Sequence, residues 1–277
     1  MSAWGAEYTE AMTQSIRWLQ DEIADRMLQK LDIVKLEAKD LLLIPDFPGA
    51  HLQFLAKRFP NASIHSAQEL DASKEPWRLR VSRFWRSLFK KDTRFSLEVY
   101  LKTGRIDLPN NSVDLIFSDL LIQDLADPKH FLGECWRVLR EGGLLTFSYL
   151  GPDTGKELGP ELPITGIQPK KLASPWDMHD MGDALLGVRF ADPVMDMELL
   201  HLDYESPNLL IDDAVNLGLI EKPAASTSNI GGLPNKLTLE LVYGHAWAVG
   251  KHLAKAQNQL AYIDVNQIGR KTRSDSA

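Results

Sequence analysis

Short apolar runs alternating with helical spacings constrain the fold of this chain more than any other feature. VDLIFSDLL (residues 113–121) has the length and apolar content of a buried strand. A helical stretch opens near Pro128 and is expected to close at Gly142-Gly143, because glycine ends helices well, and LLTFSYLG follows directly as another strand. Upstream, DLLLIPD (40–46) is a buried-strand run ending at Pro45, residues 51–59 resume a helical pattern that Pro60 stops, and ASIHSA (62–67) reads as a second strand. RFSLEVYLK (94–102) alternates Phe95, Leu97, Val99 and Leu101, as a strand half-buried on one face would. Strands and helices alternating at this pace predict an α/β fold with a mostly parallel sheet and right-handed crossovers.

The flanks extend this plan. Ile16, Leu19, Ile23, Met27 and Leu31 recur at spacings of three and four, so residues 7–31 read as an amphipathic helix lying across a larger body. After Gly151 the stretch GPDTGKELGPELPITGIQP is a Gly- and Pro-rich loop, long enough to shape a site. A helix is expected over 178–188, a strand over 198–206, a helix over 208–218 and a long closing strand over 236–247. Strand following strand near the C-terminus predicts that the parallel sheet ends in an antiparallel pair.

A chain of 277 residues can bury a sizeable core, and the expected organisation is one elaborated domain over 1–262. Within it, 1–35 forms N-terminal helical cover and 74–92 a basic, aromatic helical insertion, while 263–277 is a polar tail. A net charge of −7 argues against a dedicated nucleic-acid binder, and no nucleic-acid partner is expected. A single cysteine, Cys135, permits no internal disulfide. With no signal-peptide pattern at the start and no apolar stretch of membrane-spanning length, the expected location is cytoplasmic.

In a doubly wound sheet, ligands sit outside the carboxyl ends of the strands, so the turns there are the places to search for chemistry. The turn after the first strand is Pro45-Asp46-Phe47-Pro48-Gly49, whose two prolines lack N–H donors and whose phenylalanine fills space, a poor cradle for a nucleotide. Residues 74–94 carry Lys74, Arg78, Arg80, Arg83, Arg86, Lys90, Lys91 and Arg94 against Glu75 and Asp92, interleaved with four aromatic residues. Such a segment suits an acidic protein or an anionic membrane surface, or it is a solvated helix whose aromatics pack on the body. Asp177-Met178-His179-Asp180 reads either as a metal or acid/base cluster or as a helix N-cap followed by a first-turn acid. No further ligands point to a metal, and no catalytic side chain is singled out.

Several stretches together resemble class I S-adenosylmethionine-dependent methyltransferases, specifically the BioC-type malonyl-acyl-carrier-protein O-methyltransferases. The similarity rests on DEIADRMLQKLDIVKL, on NNSVDLIFSDLLIQDLADPKHFLGECWRVLREGGLLTFSYLGPDTGKEL, on DMHDMGDALLGVRFADPVMD and on VYGHAW. WRVLREGGLL is common to many class I methyltransferases, whereas GPDTGKEL, DMHDMGDALL and VYGHAW are more specific to this branch. The resemblance implies a Rossmann-like, seven-stranded, mostly parallel sheet with helices on both faces and one antiparallel edge strand. It also implies S-adenosylmethionine as cofactor, and methyl transfer to the carboxylate of a malonyl group on acyl carrier protein, in biotin synthesis. The substrate side falls on Gly151, Pro152, Asp153, Thr154, His179, Asp180 and Asp183. The acidic carrier protein would dock on Arg83, Arg86, Lys90 and Lys91.

The cofactor positions implied by the resemblance are largely degenerate here. The family's first-strand motif, aliphatic-aliphatic-Asp-aliphatic-Gly-Cys-Gly-Thr-Gly, meets Leu41 to Gly49: its acid becomes Leu43, two glycines become Pro45 and Phe47, and Gly49 survives. The ribose-binding acid falls on Gln68, the adenine-contacting acid near Lys102, and the asparagine after the fourth strand on Asp119. A hydrogen bond to a charged group contributes about 1.5–3 kcal/mol, so two or three such losses remove several orders of magnitude in affinity. Weakened or absent cofactor binding is the resulting expectation, and two roles stay open: methyl transfer as the family implies, or a non-catalytic pseudo-methyltransferase acting as a binding or assembly module.

Overall fold

A computed structural model describes residues 14–45, 51–66, 97–159, 176–221, 234–251, 255–257 and 260–262. The turn at 46–50 with Gly49, the basic segment 74–94 with its docking residues, Gln68 and the tail 263–277 lie outside the described residues. Helix α1 (Gln14–Lys30) and a short 3-10 turn (Leu31–Ile33) lead into strand β1 (Asp40–Leu43). Helix α2 (His51–Arg58), strand β2 (Ser63–His65), helix α3 (Leu97–Thr103) and strand β3 (Val113–Ser118) follow. The chain continues through α4 (Pro128–Val138), β4 (Leu139–Leu150), α5 (Met178–Gly187), β5 (Ala191–Asp203), α6 (Pro207–Asn216) and β6 (Lys236–Ala248). Two short strands, β7 (Lys255–Gln257) and β8 (Leu260–Tyr262), pair with each other in antiparallel fashion.

The main sheet has the order β2-β1-β3-β4-β6-β5. β1 pairs in parallel with both β2 and β3, β3 pairs in parallel with β4, and β6 runs antiparallel to both β4 and β5. The single reversed strand therefore lies one position in from the edge, and the edge strand β5 points the same way as β4. Among the described residues the sheet has six strands, against the seven expected. Chain order departs in opposite directions from β1 and β3, and the crevice between their carboxyl ends is the switch point of the sheet.

Both faces of the sheet are covered, which explains runs that are apolar at every position. Leu41, Leu43, Leu115 and Phe117 pack into one layer with α1, α2 and α6, whereas Leu42, Ile44 and Ile116 pack into the other with α3, α4 and α5. The stripe read from the sequence is buried: Ile16, Leu19, Ile23 and Met27 on α1 and Leu31 just after it, joined on α1 by Ala24 and Gln20.

Two expectations are corrected. The stretch 94–102 is not a strand where it is described: α3 begins at Leu97 and buries Leu97 and Tyr100, three apart, with Tyr100 edge-on to Phe131 at 5.6 Å. Val99 and Leu101, which a strand would have buried beside Leu97, are 43% and 47% exposed. Helix α4 ends at Val138, four residues before the glycine pair, because Leu139 already takes extended geometry. Gly142, at φ +75°, lies instead in the irregular start of β4, where the register with β3 shifts between Val113 and Leu115.

Candidate functional site

At the switch point the β-ladder holds Leu43 opposite Phe117, and the Ile44 amide donates to the Phe117 carbonyl at 3.0 Å. The next residues, Ser118 and Asp119, are fully buried. Asp119 Oδ2 lies 2.7 Å from Nε2 of His51, the first residue of α2, and both side chains are fully buried. Ser148, near the end of β4, donates its hydroxyl to Asp119 Oδ1. The Leu120 amide donates to Ser148 through both its carbonyl and its hydroxyl oxygens, each at 3.1 Å. Buried Gln123 ties the same strand ends together by donating to the Leu120 carbonyl at 2.7 Å and accepting from the Leu150 amide at 3.3 Å. A continuous polar chain thus spans α2, β3 and β4 at the place where the fold positions ligands.

Beside it, the turn after β4 is laid along β6. The Gly151 amide donates to the Glu240 carbonyl at 2.8 Å, the Asp153 amide to the Glu240 carboxylate at 2.6 Å, and the Gly155 amide to the Thr238 carbonyl at 2.8 Å. A Cβ at Gly151 would stand 2.7 Å from both Glu240 carboxylate oxygens, so only glycine lets that carboxylate sit over the turn. Glu157 accepts from the Thr238 amide at 3.0 Å and from its hydroxyl, and these bonds outweigh burial and hold its pKa below the usual value. The GPDTGKEL stretch is therefore accounted for largely by its attachment to β6. Asp177 caps α5, accepting from the His179 amide at 2.7 Å and the Asp180 amide at 2.8 Å, which selects the capping reading of that cluster. His179, Asp180 and Asp183 are exposed on α5. Tyr149 links the two regions by donating to the Asp177 carbonyl at 3.0 Å; burial, then Glu240, Asp177 and Asp180, push its hydroxyl pKa up.

The end of α1 is seated on β5 and on Tyr243 of VYGHAW in β6. Arg26 meets Glu198 at 2.8 Å, Lys30 meets Asp196 at 2.5 Å, and the Lys30 ammonium lies 4.7 Å from the Tyr243 ring centre. Burial and the neighbouring Lys30 charge lower the His245 pKa, with Asp196 opposing. An imidazole kept neutral in the fold but protonated in the unfolded chain contributes stability that is lost as pH falls through 6.5. Glu134 and Glu157, held below 4.5, contribute stability that is lost only as pH falls below that value. Thermal melts from pH 7 to 4 are expected to show two successive falls in Tm, and His245→Asn is expected to remove the first.

Of the residues read from the sequence, the structure places Asp119 at the switch point and Gly151, Pro152, Asp153 and Thr154 beside it, with Pro152 and Asp153 exposed. Lys102, at the adenine-contacting position, is an exposed α3 residue paired with Glu98, on a helix rather than a strand end. His51, Ser148, Tyr149 and Glu240 were not singled out. The available signal was modest: a histidine opening the helix after the first strand, and polar residues interrupting two apolar strands. Among the described residues, no group of three or more His, Cys, Asp or Glu side chains converges on a metal position, and no helix is long and apolar enough to cross a membrane.

Comparison with known proteins agrees with this architecture. Residues 69–147 match a methyltransferase domain family. A malonyl-[acyl-carrier protein] O-methyltransferase of Gallionella capsiferriformans is 34% identical over 247 residues, spanning 83% of each chain. Malonyl-[acyl-carrier protein] O-methyltransferase 1 of Coxiella burnetii is 32% identical over 272 residues, covering 90% of this chain and 88% of that one. Among solved structures, a candidate methyltransferase from Bacillus halodurans superposes with a TM-score of 0.51 at 12% identity, covering 83% of this chain and all of that one, a likeness of fold alone. With the switch-point sheet in place and relatives above 30% identity along most of its length, the chain belongs to the BioC-type malonyl-acyl-carrier-protein O-methyltransferase family of class I S-adenosylmethionine-dependent methyltransferases.

Proposed function

We propose that this chain is a BioC-family protein in which S-adenosylmethionine binding is weakened or lost, and that it acts as a non-catalytic binding or assembly module. The observation that carries this reading is the state of the switch point. Leu43, aligned with the family's first-strand acid, is fully buried in the core, so no carboxylate is offered there. The acid that is present, Asp119, has both oxygens engaged by His51 and Ser148. The described residues do not fit the methyl donor, and no transfer step is assigned to them. The second reading, methyl transfer to the carboxylate of a carrier-protein-bound acyl chain, is favoured by relatives that carry that activity in their names and match most of the chain. The cytoplasm is the proposed compartment for either role.

Calorimetric titration and thermal-shift assays with S-adenosylmethionine and S-adenosylhomocysteine separate the two. A dissociation constant of 10 μM would stabilise the fold by about 2.7 kcal/mol at 1 mM ligand, an effect easily seen in Tm. We expect no saturable binding and no rise in Tm at that concentration; micromolar affinity would overturn the proposal and favour methyl transfer. The proposed partner on residues 74–94 is the acidic acyl carrier protein, with an anionic membrane surface as the alternative. A pull-down on immobilised carrier protein is expected to retain the unaltered chain and to lose it when Arg83, Arg86, Lys90 and Lys91 are changed to Glu. Equal retention of both would remove the docking idea.

A further inference from the structure

The polar chain at the switch point is closed on itself. Asp119 is fully buried; its Oδ2 is held by His51 Nε2 at 2.7 Å and its Oδ1 by the Ser148 hydroxyl. The adjacent Leu120 amide is spent on Ser148 as well. The imidazole is itself held in place: it is fully buried, edge-on to Phe117 at 6.3 Å, and its Nδ1 lies 4.0 Å from a carboxylate oxygen of Asp21 on α1. A ligand entering between the ends of β1 and β3 would meet a carboxylate that already accepts one protein donor on each oxygen. With both side chains fully buried, the space on the Oδ2 side is taken by the imidazole, so a ligand's donor would compete with it there, at the cost of a hydrogen bond in a buried site.

We infer that His51 is an internal competitor for this site: its imidazole occupies Oδ2 of the Asp119 carboxylate in the manner of a ligand's donor group, and a ligand with an ammonium or hydroxyl donor competes with it for that oxygen. The inference deepens the reading of a weakened site and rests on the switch point being where such a ligand would bind. It assigns part of the weakening to a group that is present in the chain, beside the missing acid and glycines that the resemblance points to. Removing His51 alone leaves a buried carboxylate without its counter-group, so the informative variant neutralises both partners together.

The test compares S-adenosylhomocysteine, titrated to 10 mM and followed by NMR, on the unaltered chain, on His51→Ala/Asp119→Asn and on Ser148→Ala. The double variant leaves a neutral amide without the imidazole against it, with Ser148 still beside it, and is expected to bind about tenfold more tightly, the worth of one recovered hydrogen bond. Ser148→Ala loosens the same network while leaving His51 on Asp119, and is expected to bind no more tightly than the unaltered chain. No gain in the double variant overturns the inference, and so does an equal gain in Ser148→Ala, which would mark general loosening. Should circular dichroism show that the double variant has not folded, His51→Val/Asp119→Asn, which refills part of the vacated volume, takes its place, with the same gain expected and the same result overturning it. Micromolar affinity in the unaltered chain would remove the weakened-site reading, whereas the inference is decided by the ratio between variants.

Discussion

Replacing Gly244 with alanine is expected to destabilise the protein by about 3 kcal/mol, among the larger costs for adding one methyl group. Gly244 sits in β6 directly between Phe147 of β4 and Met195 of β5 in the registers of the two antiparallel ladders. A Cβ there would lie 2.8 Å from the Phe147 ring carbon Cε1 and 2.9 Å from the Met195 sulfur. The Phe147 ring is fully buried and stacks on Tyr149 at 6.2 Å, so it has nowhere to turn without disturbing the residue that reaches the α5 cap. In a chain of this size the loss corresponds to a fall in Tm of roughly 6–12 °C. Phe147→Leu shortens the opposing side chain, and the double variant is expected to be more stable than the two single effects predict by at least about 1 kcal/mol. A melting curve for Gly244→Ala within about 1 °C of the unaltered protein would show that the close contact relaxes freely.

This expectation bears on what the family's signatures record. VYGHAW and GPDTGKEL carry part of the resemblance to this branch, yet Gly244 is required by Phe147, Gly151 by the Glu240 carboxylate, and Glu157 by Thr238. These residues preserve the joining of β4, β5 and β6, so their presence is compatible with a site that binds the methyl donor poorly. The buried strands were legible because both sheet faces are covered and their apolar runs are continuous. The α1 stripe was legible for the same reason at helical spacing. The stretch before Thr103 was not, since Leu97, Val99 and Leu101 fit a strand as well as Leu97 and Tyr100 fit a helix, and only packing against Phe131 decides between them. Least legible was the polar chain: His51 and Asp119 stand 68 residues apart, Asp119 and Ser148 29 apart, and only sheet order brings them together. Local pattern carries no information about such a contact, whereas a leucine at position 43, where the resemblance implies an acid, is read directly from the sequence.

The second large effect is expected at the opposite end of the sheet, in WRVLREGG, part of the stretch by which the chain resembles many class I methyltransferases. Arg137, in the last turn of α4, donates to Glu134 twice at 2.7 Å, to the Leu108 and Ile106 carbonyls at 2.9 and 2.8 Å, and to Asn110 at 2.8 Å. The guanidinium thus fastens the loop before β3 to the helix before β4, and Glu134 completes the clamp by accepting from the Ile106 amide at 2.9 Å. Lysine offers three donors from a single point and cannot reproduce a planar fork, so Arg137→Lys is expected to cost about 2–3 kcal/mol by leaving part-buried carbonyls unsatisfied. Its pH dependence distinguishes this cause from a general packing defect. Burial alone would raise the Glu134 pKa, and the Arg137 and Ile106 bonds bring it below 4.5, so the ion pair stabilises above that pH and is lost as pH falls through the folded value. The stability gap between Arg137→Lys and the unaltered chain should therefore be full at pH 7 and narrow on acidification below about 4.5. A gap unchanged down to pH 3 would assign the cost to the carbonyls alone. Either outcome keeps this widely shared motif at the amino ends of the strands, away from Asp119, which is why matching it marks the fold and is silent on the state of the donor site.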